Sequence, residues 1–194
     1  MDYKGDIFYI DQVLNGNMAA FGCILERYKN RAYNLAFRIC GNREEAEEAA
    51  QDAFLKVFKS LRGFRMKSSF STWLYRIVYN TAISYSRNRK NEILSLSDFP
   101  AEFKDFEIEN AGEPESDKEY RNALINFAMK AISEEERGII TMFYYEDMSI
   151  ENISEATGLS KSNIKVKLFR ARQRMLEIIE NAEKKTLINH EQVR

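Results

Sequence analysis

The chain is poor in the residues on which most hydrolytic, redox and metal chemistry depends. Among 194 residues there is one histidine, His190, with two cysteines, two prolines, one tryptophan and eight glycines. A single imidazole excludes a multi-histidine metal site and leaves little for a histidine-based triad. Cys23 and Cys40 lack the Cys-x-x-Cys spacing and sit among apolar residues, which predicts two buried thiols in a reducing compartment. Proline and glycine punctuate chains, and their scarcity predicts helices. No run approaches the roughly 18 apolar residues of a membrane span. Acids at Asp2 and Asp6, where a secretory signal would be basic, add to the expectation of a cytoplasmic protein. Net positive charge is missing too. Against 29 Lys+Arg stand 30 Asp+Glu, a formal charge of −1, whereas a nucleic-acid-binding domain is usually basic.

What is present is a soluble composition, 44% hydrophobic and 30% charged, at a length that suits one or two domains. The neutral total hides three unequal parts. Residues 1–90 hold 15 basic and 9 acidic residues, and residues 91–119 hold 2 and 10. Residues 120–194 hold 12 and 11. The middle part contains Pro100, Gly112 and Pro114 and lacks helical periodicity, so it reads as an acidic linker, either a solvated spacer or a functional tether. No acid occurs between Asp52 and Glu92, a stretch that carries Lys56, Lys59, Arg62, Arg65, Lys67, Arg76, Arg87, Arg89 and Lys90. None occurs between Glu155 and Glu177, where Lys161, Lys165, Lys167, Arg170, Arg172 and Arg174 stand. Each half therefore has its own basic surface.

Hydrophobic periodicity predicts helices throughout. Met18–Cys40 has helical spacing. Asn42 with Glu45 three residues on is a helix start for a helix to about Leu61, with Ala46, Ala50, Ala53, Phe54, Val57 and Leu61 on its core face. Its other face carries Glu44, Glu48, Gln51, Asp52, Leu55 and Lys59. Leu55 among acids is either a stray exposed leucine or part of a partner surface. After the loop Phe64–Ser71, a helix from about Thr72 to Arg89 has Trp73, Leu74, Ile77, Val78 and Thr81 as its predicted core face. Arg76, Tyr79, Asn80, Ile83, Arg87 and Lys90 form a second, basic stripe. Trp73 follows the apolar spacing and so reads as core before ligand contact. In the second half, Ser133 to Glu136 is a capping box. Ser149 opens a short helix to about Thr157, and Gly158-Leu159-Ser160 turns into a long helix through about Glu180. Ser154, Gly158 and Ile164 have the spacing of a helix-turn-helix.

A helix-turn-helix places the first turns of its second helix in the major groove. There Asn163 and the lysines would read base edges, while Arg170, Arg172 and Arg174 would hold phosphates. In the first half, cations interleaved with aromatics suit single-stranded or partly melted nucleic acid. The loop Phe64–Ser71 with Asn80 could receive an extruded base, although plain packing accounts for the same spacing.

From about Gly16 to Ile179 the sequence resembles the extracytoplasmic-function (ECF) branch of the bacterial sigma-70 family of RNA polymerase sigma factors. Gly16-Asn17-Met18-Ala19-Ala20-Phe21 is similar to the opening of the family's first segment, and Ala46 through Leu55 to its polymerase-binding helix. Phe70-Ser71-Thr72-Trp73-Leu74-Tyr75-Arg76-Ile77-Val78-Tyr79-Asn80 is similar to its promoter-melting motif. Gly158-Leu159-Ser160, Ile164-Lys165 and Arg170-Ala171-Arg172 match its C-terminal helix-turn-helix. Ala49-Ala50, Ser133 and Asn163 depart from the family's usual bulkier aliphatics, proline and threonine.

The resemblance implies an all-α protein of two small helical domains joined by an acidic linker. Region 2 would occupy residues 1–90, the linker 91–119, and region 4, a winged-helix-like helix-turn-helix, 120–194. It implies that Glu48, Gln51, Asp52 and Leu55 bind the clamp helices of core RNA polymerase. Phe64, Arg65, Lys67, Phe70, Arg76, Tyr79, Asn80 and Arg87 would recognise and open the minus-ten element. Lys161, Ser162, Asn163, Lys165, Lys167, Arg170 and Arg172 would bind the minus-thirty-five element. The linker would thread toward the RNA exit path. The expected partners are core polymerase, promoter DNA and an anti-sigma factor, which could be membrane-anchored. No cofactor, metal, small-molecule substrate or enzymatic activity is expected. The competing readings are a helix-turn-helix regulator that binds duplex DNA without polymerase, and a helical interaction adaptor that needs neither basic surface.

Overall fold

The computed structural model describes residues 5–96 and 117–192, with side chains placed for 5–89 and 119–184. The expected acidic linker therefore lies mostly outside the described residues. Among the described residues eight α-helices follow in order: α1 Asp6–Leu14, α2 Ala20–Cys40, α3 Arg43–Ser60, α4 Phe70–Leu96, α5 Asp117–Lys130, α6 Glu134–Tyr144, α7 Ile150–Thr157 and α8 Lys161–Gln192. A 3-10 turn, Leu61–Gly63, closes α3. Among the described residues there is no strand, so the helix-turn-helix stands without a β-wing there.

The helix starts follow the sequence. Asn42 caps α3 by accepting the Glu45 amide at 2.8 Å. Ser133 accepts the Glu136 amide, and the Glu136 carboxylate accepts the Ser133 amide in return, forming the capping box of α6. Ser149 caps α7, and Ser160 caps α8 by accepting the Asn163 amide at 3.2 Å. Gly158 ends α7 at φ +76°, a left-handed conformation that glycine takes without a side-chain clash. Ser154 donates to the Leu159 carbonyl at 2.6 Å and ties the turn to α7.

The ends of the longer helices differ from expectation. Helix α4 starts at Phe70 and runs to Leu96, across the expected domain boundary at residue 90. Helix α8 continues to Gln192, past Glu180. Helices α1 and α5 add to the helices assigned from the sequence; α1 is nine residues long and has no side-chain cap. Cys40 is buried, but Cys23 is exposed on α2, which corrects the expectation of two buried thiols.

Helices α2, α3 and α4 pack on one another, α1 lies on α2, and α8 runs beside α5, α6 and α7. The two halves share one core. Helix α6 packs on α2 and α4, and α7 packs on α4, so the buried set is continuous from Ile10 to Ala171. Gly138 permits a close approach of α6 to α4 and α2. A methyl group on Gly138 of α6 would lie 2.7 Å from the Tyr79 ring of α4 and 3.2 Å from Ile39 of α2. Among the described residues no helix is long and apolar enough to cross a membrane.

Candidate nucleic-acid interface and partner groove

Helix α3 buries its alanines, Phe54 and Val57, which leaves Glu48, Gln51 and Leu55 exposed. Leu55 is 56% exposed but has neighbours. It forms one edge of an open apolar groove of about 700 Å³ between α2 and α3, with Phe21, Leu25, Phe54 and Phe58. Phe21 and Phe58 meet edge to face at 5.0 Å. Glu47, Gln51 and Lys29 rim the groove. An apolar trough of this form with a polar rim accommodates the apolar face of a helix. Phe21, Leu25 and Phe58 are functional candidates that the single-helix reading missed. Phe58 follows Leu55 by three positions, and Phe21 and Leu25 are four apart, so the signal was present once α2 and α3 are neighbours. Asp52 is placed differently. It is half-buried and accepts a hydrogen bond from the Tyr85 hydroxyl at 2.9 Å, which raises the pKa of that phenol.

The loop between the 3-10 turn and α4 presents Arg65, Met66 and Lys67 to solvent. Met66 holds φ +53°, a left-handed conformation unusual for a side chain of its length. Beneath the loop lies an aromatic cluster. Phe64 meets Phe70 at 5.6 Å and Trp73 at 5.2 Å, and Phe70 meets Trp73 at 5.8 Å. Phe70 is only 2% exposed, so it supports the loop from inside instead of standing in an open pocket as expected. Trp73 is half-buried on this cluster, consistent with its core-like spacing. Ser69 caps α4 by accepting the Thr72 amide at 3.1 Å and so fixes where the loop ends.

Arg76 and Asn80 are exposed on α4. Asn80 lines an open pocket of about 480 Å³ with Lys56, Lys59, Ser60, Ile77 and Ser84. Lys56 donates to Thr81 at 3.1 Å, which aligns its stem along that pocket. Two cations, an amide and an apolar floor can hold a base and its phosphate together. In the sequence Lys56 stood out only as a member of an acid-free stretch, and Lys59 also as part of the outer face of α3.

The rest of the expected stripe on α4 faces the second half of the molecule. Tyr79 and Ile83 are buried, Tyr79 at 5% exposure beneath Gly138. Burial raises the pKa of the Tyr79 phenol. Its expected place on an open basic face is therefore corrected, because α4 buries both flanks and periodicity does not show which neighbour covers each. Arg87 is exposed but lies 3.5 Å from Glu135.

On α8, Lys161, Ser162, Asn163, Lys165, Arg170 and Arg172 are exposed, over a core face of Ile164, Leu168 and Ala171. Lys161 pairs with Glu151 at 2.9 Å and Arg172 donates to the Tyr144 hydroxyl at 3.2 Å. Lys167 is half-buried and pairs with Glu135 at 3.1 Å. One carboxylate thus holds a cation from each half. Further ties cross the same junction. The Tyr75 hydroxyl donates to Glu146, Arg31 lies 3.8 Å from Glu146, and Arg137 donates to the Ile39 carbonyl at 3.1 Å. Arg38 stacks over the Tyr145 ring at 4.0 Å. Among the described residues no cluster of His, Cys, Asp and Glu could hold a metal ion.

A family profile described as Sigma-70 region 2 matches residues 24–92, and one described as Sigma-70, region 4 matches residues 123–175. The RNA polymerase sigma-H factor of Pseudomonas aeruginosa is 28% identical over 170 residues, covering 84% of this chain and 88% of that protein. The ECF RNA polymerase sigma factor SigW of Bacillus subtilis is 29% identical over 175 residues, covering 84% and 91%. Two solved structures share the fold. CnrH, solved in complex with the cytosolic domain of CnrY, aligns with a TM-score of 0.66 at 20% identity, covering 92% of this chain and 99% of that one. The sigma factor RpoE of Bartonella quintana, co-crystallised with the anti-sigma factor NepR, aligns at 0.63 and 21%, covering 82% and 96%.

Proposed function

The chain belongs to the ECF branch of the sigma-70 family, and on that premise we propose how its surfaces divide the work of promoter recognition and strand opening. The observation that carries the reading is the loop Arg65–Lys67 seated on its aromatic cluster beside the Asn80 pocket. A base leaving the duplex loses a few kcal/mol of stacking and pairing. Stacking on an aromatic contributes about 1–3 kcal/mol per base, which offsets much of that cost. Arg65, Lys67, Arg76 and the pair Lys56 and Lys59 hold the displaced strand's phosphates, and Asn80 supplies the hydrogen bond that selects the base. The half-buried Phe64 is the ring on which a base can stack, and the buried Phe70 and Tyr79 act behind this surface.

The groove around Leu55 and Phe58 takes a helix of core polymerase, with Glu48 and Gln51 at its rim. In the second half Lys161, Ser162, Asn163 and Lys165 enter the major groove of the upstream element, and Arg170 and Arg172 hold its backbone. Half-buried Lys167 becomes fully available when Glu135 releases it, and exposed Arg87 loses a competing carboxylate at the same time, so binding to polymerase accompanies separation of the two halves. An anti-sigma factor is the expected inhibitory partner, since RpoE, a protein of this fold, was solved with the anti-sigma factor NepR, and CnrH with the cytosolic domain of CnrY; that partner could itself be membrane-anchored. The protein works in the cytoplasm, contributes no catalysis of its own and needs no cofactor.

The test is transcription in vitro with core polymerase. Asn80→Ala should lower the fraction of opened promoter about tenfold, the loss of one good base contact, with core binding unchanged. Equal loss of opening and of core binding would remove Asn80 from the strand-opening surface. Tight duplex binding with no effect on polymerase would favour a regulator that acts alone.

A further inference from the structure

Helix α1 lies before the first residue of the matched region 2. Its buried Ile10 and Val13 account for its docking on α2, but they leave Asp6 unexplained. Asp6 is a half-buried carboxylate in the first turn of α1 whose two oxygens serve two partners on α2. One pairs with Arg27, and the other accepts the Tyr28 hydroxyl at 2.6 Å. Arg27 in turn lies over the Tyr9 ring at 5.5 Å, which ties the same two helices a third time.

Tyr28 leads to the loop. Its ring is buried and meets Phe70 edge-on at 5.8 Å, and Phe70 is the residue on which Phe64 and Trp73 converge. Helix α1 also touches the 3-10 turn Leu61–Gly63, which delivers the chain into Phe64. Asp6 therefore acts at one end of a packed path, Asp6 to Tyr28 to Phe70 to Phe64, whose other end is the base of the exposed loop. Hydrogen bonds to a charged acceptor are stronger and more directional than neutral ones, and close-packed rings pass on small displacements because no void absorbs them.

We propose that Asp6 is a positioning residue for strand opening: by holding the Tyr28 hydroxyl and Arg27 it sets the seat of Phe70 and so the height of the Phe64–Ser69 loop. The inference rests on the assignment of that loop to promoter opening. Docking of α1 by Ile10 and Val13 is separate from it, and a purely structural Asp6 would affect only thermal stability.

Trp73 is the single tryptophan and sits on the cluster, so its emission reports the loop's base directly. Asp6→Ala should shift that emission to longer wavelength and lower the opened-promoter fraction about tenfold, the equivalent of one hydrogen bond to a charged group. Affinity for core polymerase should stay within about twofold, because none of Asp6, Arg27 and Tyr28 lines the groove around Leu55. Tyr28→Phe keeps the ring and removes only the link, so it should move both readouts in the same direction even if Asp6→Ala folds poorly. Asp6→Glu should restore most of the activity. Unchanged Trp73 emission in both variants overturns the inference. So does normal opening in both variants while Asn80→Ala fails to open. Normal opening in all three, Asn80→Ala included, overturns the assignment of the loop and the inference with it.

Discussion

The two cysteines show how the same side chain takes different properties from its surroundings. Cys40 is buried against α4, its thiol donating to the Ala82 carbonyl at 3.7 Å, and desolvation pushes its pKa from 9.0 up to about 12. Cys23 is exposed on α2. At pH 8 an alkylating reagent should label Cys23 alone in the folded protein and both thiols in denaturant. Rapid labelling of Cys40 under native conditions would mean that the core around it opens readily. The raised pKa also has a consequence for stability. Above pH 9 the unfolded thiol ionises while the folded one stays protonated, so the unfolded chain binds fewer protons and stability falls as pH rises. Buried Tyr75 and Tyr79, whose phenols are also pushed up from 10.0, add to the fall at higher pH. Urea midpoints at pH 8 and pH 10 should therefore differ, and Cys40→Ala should narrow the difference.

The helices divide into those written in local signals and those held by neighbours. The Ser133–Glu136 capping box is local, and Ser133→Ala should cost about 1 kcal/mol in urea denaturation while leaving polymerase binding intact. The starts of α3, α7 and α8 were readable for the same reason: a cap is a hydrogen bond spanning three residues. Helix α1 was not, because nine residues without a side-chain cap form a stable helix only on another surface. Leu55 illustrates the intermediate case. Its anomaly was visible on α3, but the groove that explains it needs Phe21 and Leu25 from α2. Leu55→Asp should reduce affinity for core polymerase by about tenfold or more, since it sets a charge against an apolar partner surface, with the melting temperature nearly unchanged. A large loss of stability instead would make Leu55 part of the core. Asp52 is a poor probe of the same surface, since its bond to Tyr85 mixes binding with folding.

In the whole molecule the two halves close on each other, and cations proposed for DNA are held at the junction. Glu135 engages Arg87 and Lys167, and Glu146 takes the Tyr75 hydroxyl and faces Arg31. The closed chain should bind promoter duplex weakly by itself. Replacing both acids, Glu135→Ala with Glu146→Ala, should enlarge the radius of gyration in solution scattering. It should also free Arg87 and Lys167 for phosphates, which steepens the salt dependence of DNA binding by about 2 in log–log slope. An unchanged slope in an expanded molecule would show that neither cation reaches the backbone.

Composition and local pattern were enough for an all-helical chain with two basic surfaces, for the caps, and for the helix-turn-helix at Gly158, because each depends on residues within a few positions of one another. Which side of α4 meets solvent was decided elsewhere. Tyr79 and Phe70 carry the same periodic signal whether they face DNA or a neighbouring helix, and only the arrival of α6 and α2 buries them. The same holds for Glu135. Its place two residues after Ser133 is a matter of sequence, but its grip on Arg87 and Lys167 exists only because distant helices converge on it, and hydrophobic burial across the junction brings them there.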